Sequence, residues 1–397
     1  MRYYPNLIKS AISALQRIFD KGEHAGTVVA QTLKSDSRWG SRDRRFVAEN
    51  IYGIIRWYRL LYEVAGKQPE TVQDWWNIFG IYQIHLDNTL PEWEEFKGLD
   101  TYKVNIQLLK AKEKRSIAQS VPEWMDELGE KQLGEEKWAE TIHALNQEAP
   151  VVLRVNTLKT SIDQLQKELT KEGIEAEILT LDALRIEGRR KLTALKAFRK
   201  GHFEIQDFGS QLIAPYLEVE PGMKIIDACA GAGGKTLHLA SIMKNQGEII
   251  SMDIHKDKLR ELQHRVKRNG VQIVTTRIIK EGTISKLKES ADRLLLDVPC
   301  TGSGVLRRKP DSKWKLSPEL MQSLQKTQQN ILIEYSPMVK KGGKLVYATC
   351  SVFPSENEEQ VQEFLKKHAD EFELEKEQTV YPQDGYDGFY MALLKRK

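Results

Sequence analysis

The spacing of apolar residues in the first third of the chain is that of α-helices. Apolar side chains recur every three or four residues through Leu7, Ala11, Leu15 and Ile18, and the same spacing returns between residues 46 and 61. Such a repeat places these side chains on one face of a helix, where they pack into a core. The pattern predicts an all-helical domain over residues 1–145.

Short β-branched runs follow. VVLRVNT (151–157), IEAEILTL (174–181) and ALRIEG (183–188) are typical of strands, whereas SIDQLQKELTKEG (161–173) has helical spacing and ends at a glycine. This arrangement predicts a small α+β subdomain over residues 146–205.

From residue 206 onward, short apolar runs alternate with amphipathic stretches. The runs are MKIIDACA, GEIISMD, VTTRII, DRLLLDVP and KLVYATC. This alternation is typical of an α/β fold, in which helices cover both faces of a mostly parallel sheet. We therefore predict a Rossmann-like α/β sheet over residues 206–397, with ligands bound outside the carboxyl ends of its strands.

Charge and targeting signals narrow the range of partners. The 397 residues carry a formal net charge of only +4, so local clusters matter more than the total. No apolar run approaches the roughly 20 residues that span a bilayer, and MRYYPNLIKS lacks an apolar signal stretch. We expect a cytoplasmic protein with no membrane partner. Clustered basic side chains can neutralise phosphates, although each cluster is equally compatible with a solvated surface: Arg42, Arg44 and Arg45; Arg189, Arg190 and Lys191; Arg199 and Lys200; Arg307, Arg308 and Lys309.

The segment IIDACAGAGGKTLHLA has the form strand, glycine-rich turn, helix. Gly231, Gly233 and Gly234 allow a ligand to approach the backbone closely, and the helix that opens near Lys235 points free N–H groups at it. Asp253 lies 20 residues beyond Gly233, at the end of the next strand. A carboxylate there can accept hydrogen bonds from a ribose. Nicotinamide cofactors and S-adenosylmethionine both satisfy this pattern.

Two further features bear on the cofactor. The turn departs from GxGxxG, which makes a dinucleotide the poorer match, and a phosphate loop ending in GGKT fails because its first glycine would fall on Cys229. Glu281, after the third strand, is placed either to reach an adenine or to act as an ordinary surface carboxylate.

Two strand ends carry the candidate chemistry. DRLLLDVPC ends with Asp297 and Cys300, and KLVYATC ends with Cys350. Neighbouring parallel strands bring their ends together, so we expect two thiols and a carboxylate in one pocket beside the glycine turn. Either cysteine alone is better explained as a buried apolar residue, but the two together favour catalysis. No nearby histidine or further cysteine completes a tetrahedral set, so we expect no metal.

A thiolate in this position suits methylation of a pyrimidine. Carbon 5 of cytosine is a poor nucleophile until a thiolate adds to carbon 6, which is covalent catalysis. Asp297 could hold the ring nitrogen 3 edge if either the carboxyl group or the pyrimidine is protonated.

The ordered motifs resemble those of the RsmB/Sun family (Fmu-like) of RNA (cytosine-5) methyltransferases. The matching segments are RVNTLK, FEIQDFGSQ, DACAGAGGKT, SMDIHKDKL, LLLDVPCTGSGVLRRKPDSKW, YATCSVFPSENEEQV and DGFYMA. The first domain resembles the NusB-like RNA-binding domain of some members, chiefly through SRDRRFVAENIYGIIRW, and the α+β region resembles the family's RRM-like extension.

The resemblance implies roles for single residues. Cys350 would be the nucleophile and Cys300 would assist product release, with Asp297 as the third catalytic residue. S-adenosylmethionine would be the cofactor, and RNA the substrate, with ribosomal RNA expected and transfer RNA open. The cofactor site would be lined by Cys229, Ala230, Gly231, Ala232, Gly233, Gly234, Lys235, Asp253, Glu281 and Asp297. The turn here departs from the common CAAPGGK, and Glu281 stands where aspartate is usual.

Other functions remain open at this point. In a DNA cytosine-5 methyltransferase Cys300 would be the nucleophile, but the second cysteine in YATCS and the RNA-type amino-terminal regions disfavour it. A non-catalytic ribosome-assembly factor would need neither thiol, and a dehydrogenase has no use for two. We expect a monomer.

Overall fold

The computed structural model describes residues 3–188 and 190–397. The chain divides into two compact units, one made of Met1–Asn146 with Arg308–Ser317 and the other of Gln147–Arg307 with Pro318–Lys397. Among the described residues, no helix has the length and apolar character that crossing a membrane requires.

The first unit is helical, as its apolar spacing predicts. Buried tryptophan, phenylalanine and aliphatic side chains form its core. Its helices are α1 (Pro5–Phe19), α2 (Ala25–Thr32), α3 (Ser41–Ala65), α4 (Val72–His85), α5 (Thr101–Ala111), α6 (Arg115–Ala118), α7 (Glu123–Leu133) and α8 (Glu135–Leu145).

Helix α3 is broken at Trp57, where φ is −102° and ψ is 15°. The backbone N–H groups of Arg59 and Leu60 donate to Ser120 Oγ, at 3.0 and 3.4 Å. On the other side of the break, Trp314 Nε1 donates to the Ile55 carbonyl at 2.7 Å. Lys313 Nζ donates to the Arg56 carbonyl at the same distance. Side chains therefore satisfy the backbone groups that the break exposes.

The second unit begins with a small antiparallel sheet. Within the described residues its strand order is β2-β3-β1-β4. Its elements are β1 (Val151–Val155), α9 (Ile162–Lys171), β2 (Ala176–Ile178), β3 (Ala183–Ile186), α10 (Lys196–Lys200) and β4 (Phe203–Ile205).

A larger sheet follows in the same unit. Within the described residues its order is β10-β11-β9-β8-β5-β6-β7. The elements are α11 (Phe208–Tyr216), β5 (Lys224–Asp227), α12 (Gly234–Ile242), β6 (Glu248–Asp253), α13 (Lys256–Asn269), β7 (Val274–Ile278), β8 (Ala291–Asp297), α14 (Ser312–Lys315, in the first unit), α15 (Pro318–Tyr335), β9 (Val339–Thr349), α16 (Glu358–His368), β10 (Phe372–Val380) and β11 (Phe389–Arg396).

Strands β7, β6, β5, β8 and β9 are parallel, whereas β11 pairs antiparallel with β9 and β10 pairs antiparallel with β11. Buried apolar side chains fill the core on both faces of this sheet. The predicted fold class, a Rossmann-like α/β sheet preceded by a helical region and a small α+β subdomain, is confirmed. Because β5, β6, β8 and β9 run in one direction, their carboxyl ends form a single edge.

Candidate active site

Three aspartates stand at this edge of the sheet. Asp227 ends β5, Asp253 ends β6 and Asp297 ends β8. Thr349 ends β9, and Cys350 follows it directly. The shared direction of the strands brings together residues more than 100 positions apart in the sequence.

The glycine-rich turn after β5 adopts the left-handed backbone that its glycines favour. Gly231 has a φ of 53° and Gly233 a φ of 83°. A Cβ at Gly233 would lie 2.0 Å from Leu262 Cδ1, so any larger residue would have to displace the Leu262 side chain as well as adopt a strained backbone. Asp253 fixes the turn from β6, because its Oδ2 accepts from the Gly231 N–H at 2.9 Å and its Oδ1 from the His255 N–H at 2.8 Å.

A cavity of about 280 Å³ lies over this turn. Its lining includes eight of the ten residues predicted for the cofactor site: Cys229, Ala230, Gly231, Ala232, Gly233, Gly234, Lys235 and Asp297. Asp253 does not line the cavity. It contacts the turn that does, by accepting a hydrogen bond from the Gly231 N–H. Glu281 lies on an exposed turn after β7 and does not line it either.

Residues that sequence reasoning missed complete the lining: Ile205, Gln206, Ser210, Asp227 and Arg265. Arg265 Nη1 donates to the carbonyl of Ala232 in the turn at 2.8 Å. Gln206 and Ser210 belong to the quoted motif FEIQDFGSQ, and Asp227 to IIDACAGAGG. The motifs thus contained the signal, although single roles were not assigned.

Asp227 is the most strongly perturbed carboxyl group of the cavity. Its Oδ2 accepts from Thr236 Oγ1 at 2.6 Å, whereas within the described residues its buried Oδ1 has no hydrogen-bond partner. Burial raises the pKa of Asp227 to about 7, with the nearby charge of Asp297 acting in the same direction. An unpaired buried acceptor beside a cavity is suited to a ligand that carries a donor or a positive charge.

Lys235 and Asp297 form an ion pair in the same cavity. Lys235 Nζ lies 2.5 Å from Asp297 Oδ2 and 5.6 Å from the centroid of the Phe389 ring. Burial lowers the pKa of Lys235, but the charge of Asp297 and its hydrogen bond, together with Cys350 and Asp227, raise it by a larger amount, so the pKa lies above the ordinary value. Lys235 is therefore a fixed cation beside the carboxylate.

The two strand-end thiols are in contact. Cys300 Sγ and Cys350 Sγ are 3.4 Å apart. The hydrogen bond to Cys350 and burial raise the pKa of Cys300 well above the ordinary value, so Cys300 is a neutral thiol. Burial, with the charge of Asp227, also raises the pKa of Cys229, which lies in the turn. The structure thus brings the Cys300 and Cys350 thiols together, as expected from the sequence.

The basic clusters differ in their exposure. Arg199 and Lys200 are exposed on α10, and Arg189 lies outside the described residues. Arg307 is only 4% exposed, donates to the Pro382 carbonyl at 2.7 Å and lies 3.9 Å from Asp387. The idea that Arg307 contacts phosphate is therefore wrong, because its guanidinium is enclosed by its own domain.

A second depression of about 510 Å³ adjoins the cavity and shares Ile205 and Arg265 with it. Phe198, His264 and Arg268 also line it. The Arg268 guanidinium stacks 4.0 Å from the centroid of the Phe198 ring. Glu204 and Glu261 line it too, and Glu204 forms ion pairs with Arg265 and Arg268. The groove thus combines an aromatic ring with paired cationic side chains, and aromatic and cationic groups are the types of side chain that bind single-stranded nucleic acid.

Comparisons with known proteins agree with this architecture. Residues 214–395 match the family model for 16S rRNA methyltransferase RsmB/F, and residues 121–193 match the ferredoxin-like domain of RsmF/B-like methyltransferases. A curated relative in Synechocystis sp., "Probable ribosomal RNA small subunit methyltransferase B", is 32% identical over 409 residues, covering 89% of this chain and 91% of the relative.

Two solved structures are similar over long stretches. The crystal structure of PH0851 has a TM-score of 0.84 at 25% identity and covers 100% of this chain and 99% of its own. A methyltransferase homolog protein from Pyrococcus horikoshii has a TM-score of 0.63 at 28% identity and covers 71% and 97%.

Proposed function

This chain belongs to the RsmB/F family of S-adenosylmethionine-dependent methyltransferases, and from that premise we propose that it methylates carbon 5 of a cytosine in small-subunit ribosomal RNA. The observation that carries the proposal is the contact of Cys300 Sγ with Cys350 Sγ at 3.4 Å. Simple transfer to a nitrogen or oxygen requires no thiol, whereas addition to carbon 6 of a pyrimidine requires one.

The cavity over the glycine turn fits S-adenosylmethionine. The cofactor carries a sulfonium and an amino group, and the unpaired Oδ1 of Asp227 offers an acceptor for positive charge. The turn from Cys229 to Lys235 would take the cofactor against its backbone, and Asp253 would accept hydrogen bonds from the ribose. When bound, the cofactor supplies the methyl group.

Cys350 is the proposed nucleophile. Its thiolate adds to carbon 6, which makes carbon 5 of the ring nucleophilic. Lys235 is within electrostatic range of Cys350, and a nearby fixed cation stabilises a thiolate. Cys300 stays protonated at this stage and donates its hydrogen bond to the attacking sulfur.

Asp297 is the proposed hydrogen-bond partner of nitrogen 3 of the cytosine ring. Asp297 forms an ion pair with Lys235, and a cytosine that has taken a proton from solvent on nitrogen 3 can donate that N–H to Asp297. The proton on nitrogen 3 draws electrons from carbon 6 and favours addition of the thiolate, and the carboxylate stabilises the protonated ring by accepting that N–H.

Cys300 is the proposed base for release. Once Cys350 is bonded to carbon 6, it can no longer be a thiolate, and the largest cause of the raised pKa of Cys300 disappears. Cys300 can then lose its own proton to solvent and, as a thiolate, take the proton from carbon 5. The electrons of the C–H bond re-form the ring double bond as the Cys350 thiolate leaves from carbon 6.

RNA is proposed to reach the pocket along the groove of Phe198 and Arg268. The target base must be unstacked, so single-stranded or loop RNA is the preferred substrate. We extend the proposal to a cytoplasmic monomer in which residues 1–145 form a NusB-like RNA-binding domain, residues 146–205 an RRM-like subdomain and residues 206–397 the catalytic domain.

The proposal is tested by incubating the protein with purified small-subunit ribosomal RNA, transfer RNA and duplex DNA, each with methyl-labelled S-adenosylmethionine. Nucleoside digestion should yield labelled 5-methylcytidine from the ribosomal RNA. Label on transfer RNA alone would change the substrate, and label on another atom of any base would refute the chemistry.

A further inference from the structure

Glu356 has no solvent exposure, and it accepts hydrogen bonds from the residues that follow Cys300 and Cys350. Its Oε1 accepts from the Thr301 N–H at 2.9 Å and from Gln328 Nε2 at 3.1 Å. Its Oε2 accepts from Thr301 Oγ1 at 2.5 Å and from Ser351 Oγ at 2.6 Å. Four donors therefore converge on one buried carboxylate.

Three of the four donors come from the two loops that carry the thiols, and the fourth, Gln328, lies on α15. Thr301 follows Cys300, and Ser351 follows Cys350. The two thiols lie 50 residues apart in the sequence, so their separation depends on what joins the loops. Glu356 has one oxygen that bonds to both loops at once.

Further hydrogen bonds stabilise the contact between the Cys300 loop and the Cys350 loop. Gln328 Nε2 also donates to the Pro299 carbonyl at 3.0 Å. Asn357 Nδ2 donates to the Ser351 carbonyl at 3.0 Å, and Ser303 Oγ lies 2.9 Å from Ser351 Oγ. Glu356 is the charged centre of this network, and charge-assisted hydrogen bonds are roughly twice as strong as neutral ones.

We propose that Glu356 is a positioning residue that ties the Cys300 loop to the Cys350 loop and thereby sets the distance between the two thiols. The role in catalysis rests on the proposed function, since only a reaction that uses both thiols requires this distance. Glu356 does not line the cavity over the glycine turn and acts through Thr301 and Ser351.

The charge of Glu356 has a second effect on the same site. Its carboxylate contributes to the raised pKa of Cys300, after the hydrogen bond to Cys350 and burial. Removal of the charge should therefore lower the pKa of Cys300. The pH at which product release becomes efficient should move downward in a variant that keeps the loops joined but lacks the charge.

The test compares Glu356→Ala with Glu356→Gln. Alanine removes all four hydrogen bonds, so kcat for cytosine methylation should fall about 100-fold, the cost of a misplacement near 1 Å, while the KM for S-adenosylmethionine stays unchanged. Glutamine can still bond to both loops, because the hydroxyls of Thr301 and Ser351 can rotate to accept. It should restore kcat to within about tenfold of the unmodified protein. The pH at which product release becomes efficient should be lower in this variant.

Glu358→Gln is the matched control. Glu358 is a partly buried glutamate two residues further on, whose Oε1 accepts from Thr379 Oγ1 at 2.8 Å. This variant should leave kcat and the pH profile unchanged. Thr301→Val, which keeps the shape of the side chain and removes one link, replaces the alanine variant if Glu356→Ala does not fold.

A readout independent of catalysis measures the thiols directly. In a glutathione buffer, oxidised glutathione converts the two thiols to a disulfide and is itself reduced to two thiols. The equilibrium gives the effective concentration of Cys300 towards Cys350, with mass spectrometry identifying the linked peptides. This concentration should fall at least tenfold in Glu356→Ala, fall by a smaller factor in Thr301→Val, which keeps the backbone N–H bond to Glu356, and recover in Glu356→Gln.

The outcomes separate the two proposals. An unchanged effective concentration in folded Glu356→Ala or Thr301→Val would overturn the positioning role, as would equal kcat losses in the alanine and glutamine variants. If the unmodified protein methylates no cytosine while the effective concentration falls as expected, the proposed function fails and the structural tie stands.

Discussion

Cys300 and Cys350 share one sulfur–sulfur contact of 3.4 Å, so the ionisation of either thiol affects the other. The raised pKa of Cys300 follows first from this contact and then from burial. A pair of this kind favours one thiolate at a time. The contact therefore supports the order of events proposed for the reaction, in which one sulfur adds and the other serves later as a base.

The pair predicts opposite phenotypes for two similar substitutions. Cys350→Ala should abolish both methylation and any covalent protein–RNA adduct, because no thiolate can then add to carbon 6. Cys300→Ala should still add and methylate but release poorly, so an adduct should accumulate on denaturing gels. Reversed phenotypes would make Cys300 the nucleophile, as in the DNA enzymes, and full activity in both variants would exclude covalent catalysis.

The raised pKa of Asp227 predicts that both the stability of the protein and its binding of a cationic ligand depend on pH. Its pKa is about 7 in the folded protein, against an ordinary value of 3.8. The unfolded chain releases this proton first as the pH rises, so Asp227 costs stability progressively between about pH 4 and pH 7. A bound cationic ligand favours the ionised form of Asp227 over the protonated form.

Asp227→Asn should therefore stabilise the ligand-free protein above about pH 7 and weaken binding of S-adenosylmethionine. The expected loss is about tenfold or more, since a charge-assisted hydrogen bond contributes roughly 1.5–3 kcal/mol. Calorimetry across this pH range should show affinity rising through about pH 7 in the unmodified protein and staying flat in the variant. Asp257→Asn, on the exposed first turn of α13, is the control, and an unchanged pH profile in Asp227→Asn would rule out this role.

The residues that sequence reasoning found are those whose chemistry is visible locally. Cys300, Cys350 and Asp297 each follow an apolar strand, and the glycines mark their own turn. Asp227 and Glu356 were missed because their partners determine their importance. The bond from Glu356 to Thr301 spans 55 residues, and no spacing in the sequence predicts that contact.

The break in α3 shows how a helix depends on distant side chains. A break at Trp57 leaves carbonyls without helical partners, and an unpaired buried carbonyl costs about 1–3 kcal/mol. Trp314 and Lys313 of α14 supply the missing donors. A short segment late in the sequence thereby becomes part of the helical unit's own hydrogen bonding.

Trp314→Phe should lower the free energy of unfolding by about 1–3 kcal/mol, because phenylalanine keeps the ring packing and loses the donor to the Ile55 carbonyl. Chemical denaturation followed by circular dichroism measures the change. Trp93→Phe, a partly buried tryptophan of the same unit that stacks on Phe96, is the comparison. Equal effects of the two substitutions would mean that ring volume rather than the hydrogen bond is responsible.

Two strands of the large sheet were not predicted. β10 (Phe372–Val380) is mostly exposed and charged, as suits the edge of a sheet, and it lacks the apolar run of a buried strand. β11 (Phe389–Arg396) is almost entirely buried, but its apolar run does not distinguish a strand from a buried helix. The parallel strands were predicted because each combines an apolar run with an adjoining turn signal.

The distribution of charge over the molecule bears on how RNA binds. With a net charge of +4, general attraction is weak, so binding must depend on local groups of exposed cations. Arg307 is excluded by burial, whereas Arg199 and Lys200 are exposed on α10, and α10 also supplies Phe198 to the groove beside the cofactor cavity.

The double substitution Arg199→Ala with Lys200→Ala should therefore weaken RNA binding and reduce its dependence on salt. For single strands each phosphate contact contributes about −0.7 to the slope of log K against log salt, so loss of two contacts should flatten the slope by roughly 1.4. Fluorescence anisotropy with a labelled single-stranded fragment of small-subunit ribosomal RNA measures this slope. Lys366→Ala with Lys367→Ala, on the exposed face of α16, removes the same charge elsewhere and should leave the slope unchanged. Equal flattening in both variants would mean that overall charge, rather than the groove, governs RNA binding.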